Sequence, residues 1–350
     1  MNWVRIAVWG VSALASAWAQ QGDGLRLNDL GLAAASRGDY AEAERLYGEA
    51  MTLWKRLGPA YQAHFATTQG NLAEALCMEG KRREGAKVYE ESLASHRQTL
   101  GTTNLRTLTI MNLLAGTYLM LGEDDRASIL FDEALRVERE LYPNDLQLAR
   151  SLAGLGLLRI RAKNPEQALP MAEEALTLVL KFGKENSPDA ALAYANVGEA
   201  HRWLGHTERA LPLLRKSRSI YEKILGPEHP RVASILSQEG LVYMQDKKYS
   251  LAEKDMVQSL DILAKSCPAC TFEQLVSESN LGLLRLRQGK YAEADRLLTH
   301  VVSTEERYLS RPGSDMATAL QALAEVREKQ RRYEDAARLH KRADLILEYR

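Results

Sequence analysis

Residues 27–50, LNDLGLAAASRGDYAEAERLYGEA, decide the fold. They contain a turn residue, Gly38, with one small residue on each side of it. Gly31 lies seven residues before the turn and Ala43 lies five residues after it. Residues 282–294, GLLRLRQGKYAEA, show the same spacing near the other end of the sequence. The stretch is therefore one copy of a unit that recurs.

The unit occurs eight times with an almost constant period. Successive turn residues are 42, 42, 41, 42, 42, 42 and 42 positions apart. A fixed period of this length indicates a repeat architecture, in which each copy is one supersecondary unit that buries its apolar face against its neighbours. The turn residues are Gly38, Gly80, Gly122, Lys163, Gly205, Lys247, Gly289 and Arg331. The repeats have approximate bounds of 25–58, 59–101, 102–142, 143–184, 185–226, 227–267, 268–310 and 311–350.

Two small positions give the repeats a common numbering. The first, seven residues before the turn, is called the helix A small residue, and the second, five residues after it, the helix B small residue. The helix A small residues are Gly31, Ala73, Ala115, Gly156, Gly198, Gly240, Gly282 and Ala324. The helix B small residues are Ala43, Gly85, Ala127, Ala168, Ala210, Ala252, Ala294 and Ala336.

Apolar residues recur with a helical period around both small positions, which predicts one buried stripe per helix. Four residues after the helix B small residue comes a bulky residue in most repeats, such as Tyr47, although Ala172 and His340 are exceptions. Small residues allow two helix axes to approach closely, and the bulky residue fills the next gap. No segment shows the alternating pattern of a strand. The sequence predicts an all-α fold of about eight tandem helix-turn-helix units.

Three elements of the first repeat carry a family resemblance: Leu27-x-x-Leu30-Gly31, Gly38-Asp39-Tyr40-x-x-Ala43 and Tyr47-x-x-Ala50. With the linker LGPEHP at 225–230, the unit resembles the tetratricopeptide repeat in its 42-residue form, found in kinesin light chain and many bacterial proteins. The resemblance covers residues 25–350 and is weakest in repeats four, six and eight. It implies a right-handed α-solenoid in which residues 20–350 form a single domain. It also implies that helix A lines a concave groove and helix B forms the outer wall.

The first nineteen residues have a different composition. Residues 6–19, IAVWGVSALASAWA, are uncharged and end in the small-x-small pattern that a signal peptidase reads. This run of 14 residues is shorter than the roughly 20 that span a bilayer. The pattern predicts a signal peptide over 1–19, export to the periplasm or the medium, and no stable membrane insertion afterwards. A retained membrane anchor is the alternative.

Charge and motifs argue against catalysis and against nucleic acid as a partner. Lys plus Arg and Asp plus Glu both total 46, so no basic excess points to nucleic acid. The sequence holds no phosphate-binding glycine loop, zinc-protease motif or nucleophile elbow. The seven histidines are scattered, and His201 and His206 have the wrong spacing for one helical face. We expect no enzyme, no cofactor and no metal site.

Two of the three cysteines form a Cys-x-x-Cys motif, Cys267-Pro268-Ala269-Cys270, in the linker between repeats six and seven. In an oxidising compartment, a local disulfide between Cys267 and Cys270 is a possible structure for this turn. A redox-active pair and a metal site are the alternatives. Cys77 is predicted to be a small buried hydrophobe in helix A of repeat two.

Amide side chains on helix A are the first candidates for peptide binding. In the resembling family, such asparagines hydrogen-bond the backbone of a bound peptide. The alternative is that these amides bond neighbouring helices. The candidates are Asn71, Asn112, Asn196, Gln238 and Asn280.

Arginines on helix A of the middle and later repeats are the second set of candidates, above all Arg202 and Arg285. With the apolar residues one and four places after the helix A small residue, they predict a groove for acidic and apolar segments, since Arg pairs well with carboxylates. The alternative is that these side chains point to water or pair with local Glu.

The sequence therefore predicts a non-catalytic, exported adaptor that holds a protein or peptide in the groove. A second hypothesis is a structural subunit that forms homo-oligomers through its ends. A third is a redox role through Cys267 and Cys270. The sequence leaves the partner's identity open.

Overall fold

The structure is a computed structural model of the chain and describes residues 20–266, 271–308 and 314–348. The predicted signal peptide, Cys267 and Cys270 lie outside these ranges. Within them, every long regular element is an α-helix, and the first, α1, covers 20–36. A short 3-10 turn, Pro59–Tyr61, precedes α3. The others are α2 (Tyr40–Leu57), α3 (Gln62–Glu79), α4 (Arg82–Leu100), α5 (Leu105–Met120), α6 (Asp124–Leu141), α7 (Leu146–Arg161), α8 (Pro165–Lys181), α9 (Pro188–Trp203), α10 (Thr207–Leu225), α11 (Pro230–Gln245), α12 (Tyr249–Ser266), α13 (Thr271–Arg287), α14 (Tyr291–Tyr308), α15 (Ser314–Lys329) and α16 (Tyr333–Glu348).

These elements confirm the predicted all-α repeat. Odd-numbered helices are helix A and even-numbered helices are helix B of the eight repeats. The chain divides into two compact units, Met1–Leu121 and Gly122–Arg350. The described part of unit 1 contains α1 to α5, and unit 2 contains α6 to α16. The prediction of a single domain over 20–350 stays a prediction, and each unit is described by itself.

The turn between helix A and helix B follows the sequence register in every repeat. All eight turn residues have positive φ, from 57° at Lys163 to 96° at Gly80. Glycine adopts this left-handed conformation freely, whereas Lys163, Lys247 and Arg331 adopt it at a cost. A backbone hydrogen bond closes the turn, for example from the Lys248 amide to the Tyr243 carbonyl at 2.8 Å. The turn residue therefore ends helix A as a C-terminal cap.

Local side chains start several of the helices. The Asp39 carboxylate accepts from the Glu42 amide at 3.2 Å, and the Asp145 carboxylate from the Gln147 amide at 2.8 Å. Such caps satisfy amides that have no partner inside the helix. Pro165 occupies the first helical position after Asn164, and the Asn164 side chain makes no capping bond.

Unit 2 is a stack of helical hairpins. Each helix A packs against its own helix B and against the helix B before it, and α7, α9, α11, α13 and α15 also pack side by side. The predicted close approaches are present. A Cβ built on Gly240 would lie 3.2 Å from the Ala252 carbonyl oxygen and 2.8 Å from Met256 Cγ. Met256 and the equivalent Leu214 are fully buried, so the small and bulky positions interlock as the sequence predicts.

Unit 1 repeats this packing. Gly31 lies against the ring of Tyr47, and Gly85 lies against the Ala73 carbonyl. Trp54 is buried, stacks on His64 and donates from Nε1 to Thr68 Oγ1 at 3.2 Å. Within the described residues of both units, no helix combines the length and apolar character that crossing a membrane requires.

Candidate binding face on helix A

One face of helix A stays accessible in the stacked hairpins. It consists of the positions six and two before the helix A small residue, and one and five after it, which share a helix face. On α7, α9, α11 and α13 every residue at these positions is exposed or half-buried. We call this set the unit 2 stripe: Arg150, Gly154, Leu157, Arg161, Leu192, Asn196, Glu199, Trp203, Ser234, Gln238, Leu241, Gln245, Val276, Asn280, Leu283 and Arg287.

Large apolar side chains are exposed on this stripe. Trp203 is 41% exposed, and Leu157 and Leu192 are each 38% exposed. Leu241 and Leu283, on the next two helices A, are half-buried. Exposed apolar groups that cluster on one face are typical of surfaces that bind other molecules. The stripe is therefore the candidate binding face of unit 2.

Trp203 is held in place by its neighbours on α9. Its Nε1 donates to Glu199 Oε1 at 2.8 Å, and the Arg202 guanidinium lies 5.0 Å from the centre of its ring. Arg202 Nε also donates to Glu199 Oε2 at 2.8 Å. An aromatic side chain that is already ordered loses less entropy when a partner binds. The geometry therefore presents Trp203 as an ordered anchor at the end of α9.

Arg202, which the sequence predicts to line the groove, does not lie on the stripe. Its side chain is only 8% exposed and its charge is balanced by Glu199, so the alternative of local pairing describes it. The position four after the helix A small residue packs between helices in other repeats as well, where Leu119, Ile160 and Leu286 are buried. These residues are therefore not part of the exposed stripe, and peptide binding by Arg202 stays a prediction.

Arg285 ties two repeats together. Its guanidinium lies 2.7 Å from Glu253 on α12 and 2.8 Å from Glu293 on α14, and its side chain is buried. Arg327 pairs with Asp295 of the preceding helix B in the same way, at 2.6 Å. Both arginines lie three residues after the helix A small residue, outside the stripe positions. We do not include Arg285 in the candidate face.

Two of the predicted amides bond neighbouring helices. Asn71 Nδ2 donates to Asn28 Oδ1 at 2.9 Å, and Asn280 Nδ2 donates to Ser237 Oγ at 2.9 Å. Each bond joins one helix A to the preceding helix A. Asn112 is buried, and it lies three residues before Ala115, whereas the other candidate amides lie two residues before their small residue. The amides of Asn71 and Asn280 thus bond neighbouring helices, which was the alternative to peptide binding. Neither bond tests whether these amides also bind a peptide.

Gln238 and Asn196 remain as amides of the stripe. Both are half-buried, on the neighbouring helices α11 and α9. Gln238 Oε1 is shielded from solvent and has no hydrogen-bond partner among the described residues. A buried oxygen without a partner costs free energy.

The cations of the stripe are paired within unit 2. Arg150 lies 3.3 Å from Asp189, and Arg287 lies 2.9 Å from Glu325. Arg161 lies 3.4 Å from Asp124 and 3.4 Å from Asp315. Because these carboxylates already balance the guanidinium groups, the geometry does not favour an acidic partner over a neutral one.

Unit 1 has an apolar stripe of its own at the same positions, with Leu25, Leu32, Met78, Leu113 and Met120 exposed. Beside it, Cys77 is half-buried and not fully buried as predicted, with its Sγ 3.7 Å from Thr117 Oγ1. Burial raises the pKa of the Cys77 thiol, which disfavours the reactive thiolate.

Comparison with known proteins settles the family. Two family models, both described as tetratricopeptide repeat, match residues 25–57 and residues 64–140, 189–265 and 273–343. Together they cover more than half of the sequence. The chain belongs to the tetratricopeptide repeat family.

Relatives of this tetratricopeptide repeat chain include a kinesin light chain-related protein. The Arabidopsis thaliana protein KINESIN LIGHT CHAIN-RELATED 1 is 23% identical over 219 residues, covering 62% of this chain and 36% of the relative. Human nephrocystin-3 is 39% identical over 72 residues, covering 21% of this chain and 5% of the relative. The chain thus spans about a third or less of the length of these relatives. The match agrees with the 42-residue repeat of kinesin light chain.

Solved structures share the fold. A Rap protein complexed with competence and sporulation factor has a TM-score of 0.66 at 14% identity and covers 96% of this chain and 98% of its own. The apo form of RapI has a TM-score of 0.58 at 13% identity and covers 81% of this chain and 99% of its own. At such identities the likeness shows the fold alone, and it confirms the predicted α-solenoid.

Sequence reasoning missed Leu192, Trp203 and Gln245 as members of the stripe. The signal for them was present, because the positions six before and five after the helix A small residue share a helix face with Leu157 and Asn196. It also missed the inter-repeat pairs of the tetratricopeptide array. In both pairs, Arg285 with Glu253 and Arg327 with Asp295, the arginine follows the acidic residue by 32 positions. The repeat register could have predicted these pairs from that constant separation.

Proposed function

We propose that this protein is a non-catalytic scaffold that holds a protein or peptide segment along the unit 2 stripe. The observation that carries the proposal is the exposure of Trp203, Leu157 and Leu192 at stripe positions of the neighbouring helices α7 and α9. Neither the fold nor its relatives identify the partner. The stripe favours an extended segment with apolar side chains.

Each part of the stripe has a separate role in this proposal. The apolar side chains supply affinity in proportion to the area that they bury, at roughly 25 cal/mol per Å². Trp203 is the expected anchor, since tryptophans dominate binding energy in many interfaces. Gln238 and Asn196 fix the segment through its backbone, so its sequence is only loosely specified. The Rap protein with competence and sporulation factor supports the idea that a comparable fold holds a partner.

Affinity purification from the protein's own cells, after in-cell crosslinking, tests this function. We expect the double variant Trp203→Ala and Leu157→Ala to lose the partners that the parent captures. The matched control, Ile129→Ala and Leu251→Ala, removes two exposed apolar side chains from helix B, where Ile129 is 66% exposed. Equal capture by the stripe variant and the parent, or loss only in the control, contradicts the proposal.

We also propose that the protein is exported and that the segment 1–19 is removed. The uncharged run and the small-x-small pattern at Ala17-Trp18-Ala19 support this. Cell fractionation followed by mass spectrometry of the N-terminus tests it. We expect a chain that begins at Gln20 outside the cytoplasm, and a cytoplasmic chain that retains residues 1–19 is the contradictory result.

The remaining hypotheses stay predictions. End-to-end assembly is tested by light scattering of the protein with and without Leu345→Glu on α16, where Leu345 is exposed. A redox role depends on Cys267 and Cys270, and their replacement by Ser while partner capture persists would argue against it.

A further inference from the structure

The turn between α9 and α10 brings two histidines together. His201 Nδ1 lies 3.4 Å from His206 Nδ1, and the ring centroids are 5.6 Å apart. His201 is 7% exposed, whereas His206 is open to solvent. A spacing of five does not place two side chains on one helical face, but His206 lies past the end of α9 and its ring approaches His201.

The backbone of the repeat fixes this approach. The His206 amide donates to the His201 carbonyl at 2.9 Å, across Gly205 with its φ of 79°. The same bond closes the turns of other repeats, such as Lys290 to Arg285 at 2.9 Å. At this type of helix end the side chains near the two bonded residues commonly touch. In the fifth repeat both positions carry an imidazole, so the turn itself builds the pair.

The spacing of the two nitrogens suits a metal ion. Two imidazole nitrogens bound at about 2.0–2.1 Å to a tetrahedral ion lie about 3.3–3.4 Å apart. Neutral imidazole is a preferred ligand of Zn²⁺, Cu²⁺ and Ni²⁺.

We propose that His201 and His206 form a two-imidazole site for a divalent transition metal, with Zn²⁺ as the reference ion. Glu173 and Glu208 place negative charge near His201 and favour a cation, whereas Arg209 opposes it. Within the described ranges no group of three or more His, Cys, Asp or Glu side chains is arranged to hold a metal. The site is therefore open, with the remaining coordination positions at the exposed His206 side filled by water.

Zn²⁺ titration followed by calorimetry and by NMR of the histidine rings tests the site. The protein carries Cys267→Ser and Cys270→Ser so that these thiols cannot compete for zinc. We expect saturable binding of one Zn²⁺, with the ring signals of His201 and His206 shifting together. His206→Ala should weaken binding by at least about tenfold, since altering even the outer-shell partners of metal ligands typically costs 10–100-fold.

Two controls make the result decisive. His206 is exposed and its side chain makes no capping bond to α10, so His206→Ala leaves the fold intact. His300→Ala removes another exposed imidazole, one that pairs with Glu278 at 2.6 Å on a different repeat, and should leave zinc affinity unchanged. Absence of saturable binding, unmoved ring signals, or equal affinity in His206→Ala overturns the proposal.

Discussion

Arg161 Nη2 lies 3.4 Å from Asp315 Oδ2, although the two residues belong to the fourth and eighth repeats. Arg161 ends α7, the first helix A of unit 2, and Asp315 is in the first turn of α15, the last one. Three helices A, α9, α11 and α13, lie between them in the sequence. The pair therefore joins the two ends of the row of helices that carries the unit 2 stripe.

Breaking this pair should loosen unit 2 without unfolding it. Asp315→Asn keeps the size of the side chain and removes its charge. Because Asp315 is 44% exposed, we expect a stability change within about 1 kcal/mol. Spin labels at Leu157→Cys and Thr318→Cys, in a background without other cysteines, should report a broader distance distribution in Asp315→Asn.

The control for this experiment is Asp335→Asn, which removes a local pair with Arg332 inside the last repeat. It should leave the distance distribution between α7 and α15 unchanged. An equally narrow distribution in Asp315→Asn and the parent would show that the Arg161 pair does not restrain the row.

Glu305 should make stability fall as pH rises. It is 3% exposed, and burial followed by the Asp315 carboxylate raises its pKa from 4.5 to about 7. Since the folded-state pKa exceeds the unfolded one, ionisation opposes folding, and the cost grows between about pH 4.5 and 7. We expect Glu305→Gln to match the parent at pH 4 and to be more stable by about 1–3 kcal/mol at pH 8.

Urea denaturation at pH 4 and pH 8 checks this prediction. The neighbouring Glu306 is exposed, so Glu306→Gln should not reproduce the pH-dependent gain. A Glu305→Gln protein that is less stable than the parent at pH 8 would be incompatible with an unfavourable buried carboxylate.

Two equivalent glycines should respond oppositely to alanine. A Cβ on Gly156 would meet nothing nearer than 3.6 Å, because the facing position holds the small Ala172 and not a bulky residue. We expect Gly156→Ala to stabilise by up to about 1 kcal/mol, the gain in helix propensity. On Gly240 the Cβ would press on Met256 and the Ala252 carbonyl, so Gly240→Ala should destabilise by about 1–3 kcal/mol. Thermal unfolding of both variants checks this prediction. Equal shifts of the melting temperature in the two variants would contradict it.

The fold could be predicted because repetition multiplies weak local signals. No single lysine identifies a helix end, yet the register placed Lys163 and Lys247 at turns, and both have the positive φ of the glycines in the other repeats. The same register predicted which small residues touch which bulky ones, including the exception at Ala172. Eight copies of one pattern carry more information than any one copy.

The candidate face was harder to predict because it depends on what each side chain touches. Arg202 and Arg285 occupy adjacent positions of the repeat, and both form ion pairs within the protein. Arg202 pairs with Glu199 on the same helix, and Arg285 pairs with Glu253 in the preceding repeat. The sequence shows the offset of a residue from the helix A small residue but not its ion-pair partner. Trp203 was missed although its register position was available, because the position five after the helix A small residue was not considered as part of the exposed face.

Site-specific photo-crosslinking in the protein's own cells shows whether the unit 2 stripe holds the partner. A photoreactive phenylalanine analogue replaces Leu192 on the unit 2 stripe or, separately, Ile129 on helix B, two apolar side chains that are both exposed. If the stripe holds the partner, the label at Leu192 forms a defined crosslinked species that Trp203→Ala abolishes, and the label at Ile129 forms none. Crosslinks from Ile129 alone, or none from Leu192, would show that the partner binds elsewhere than on the unit 2 stripe.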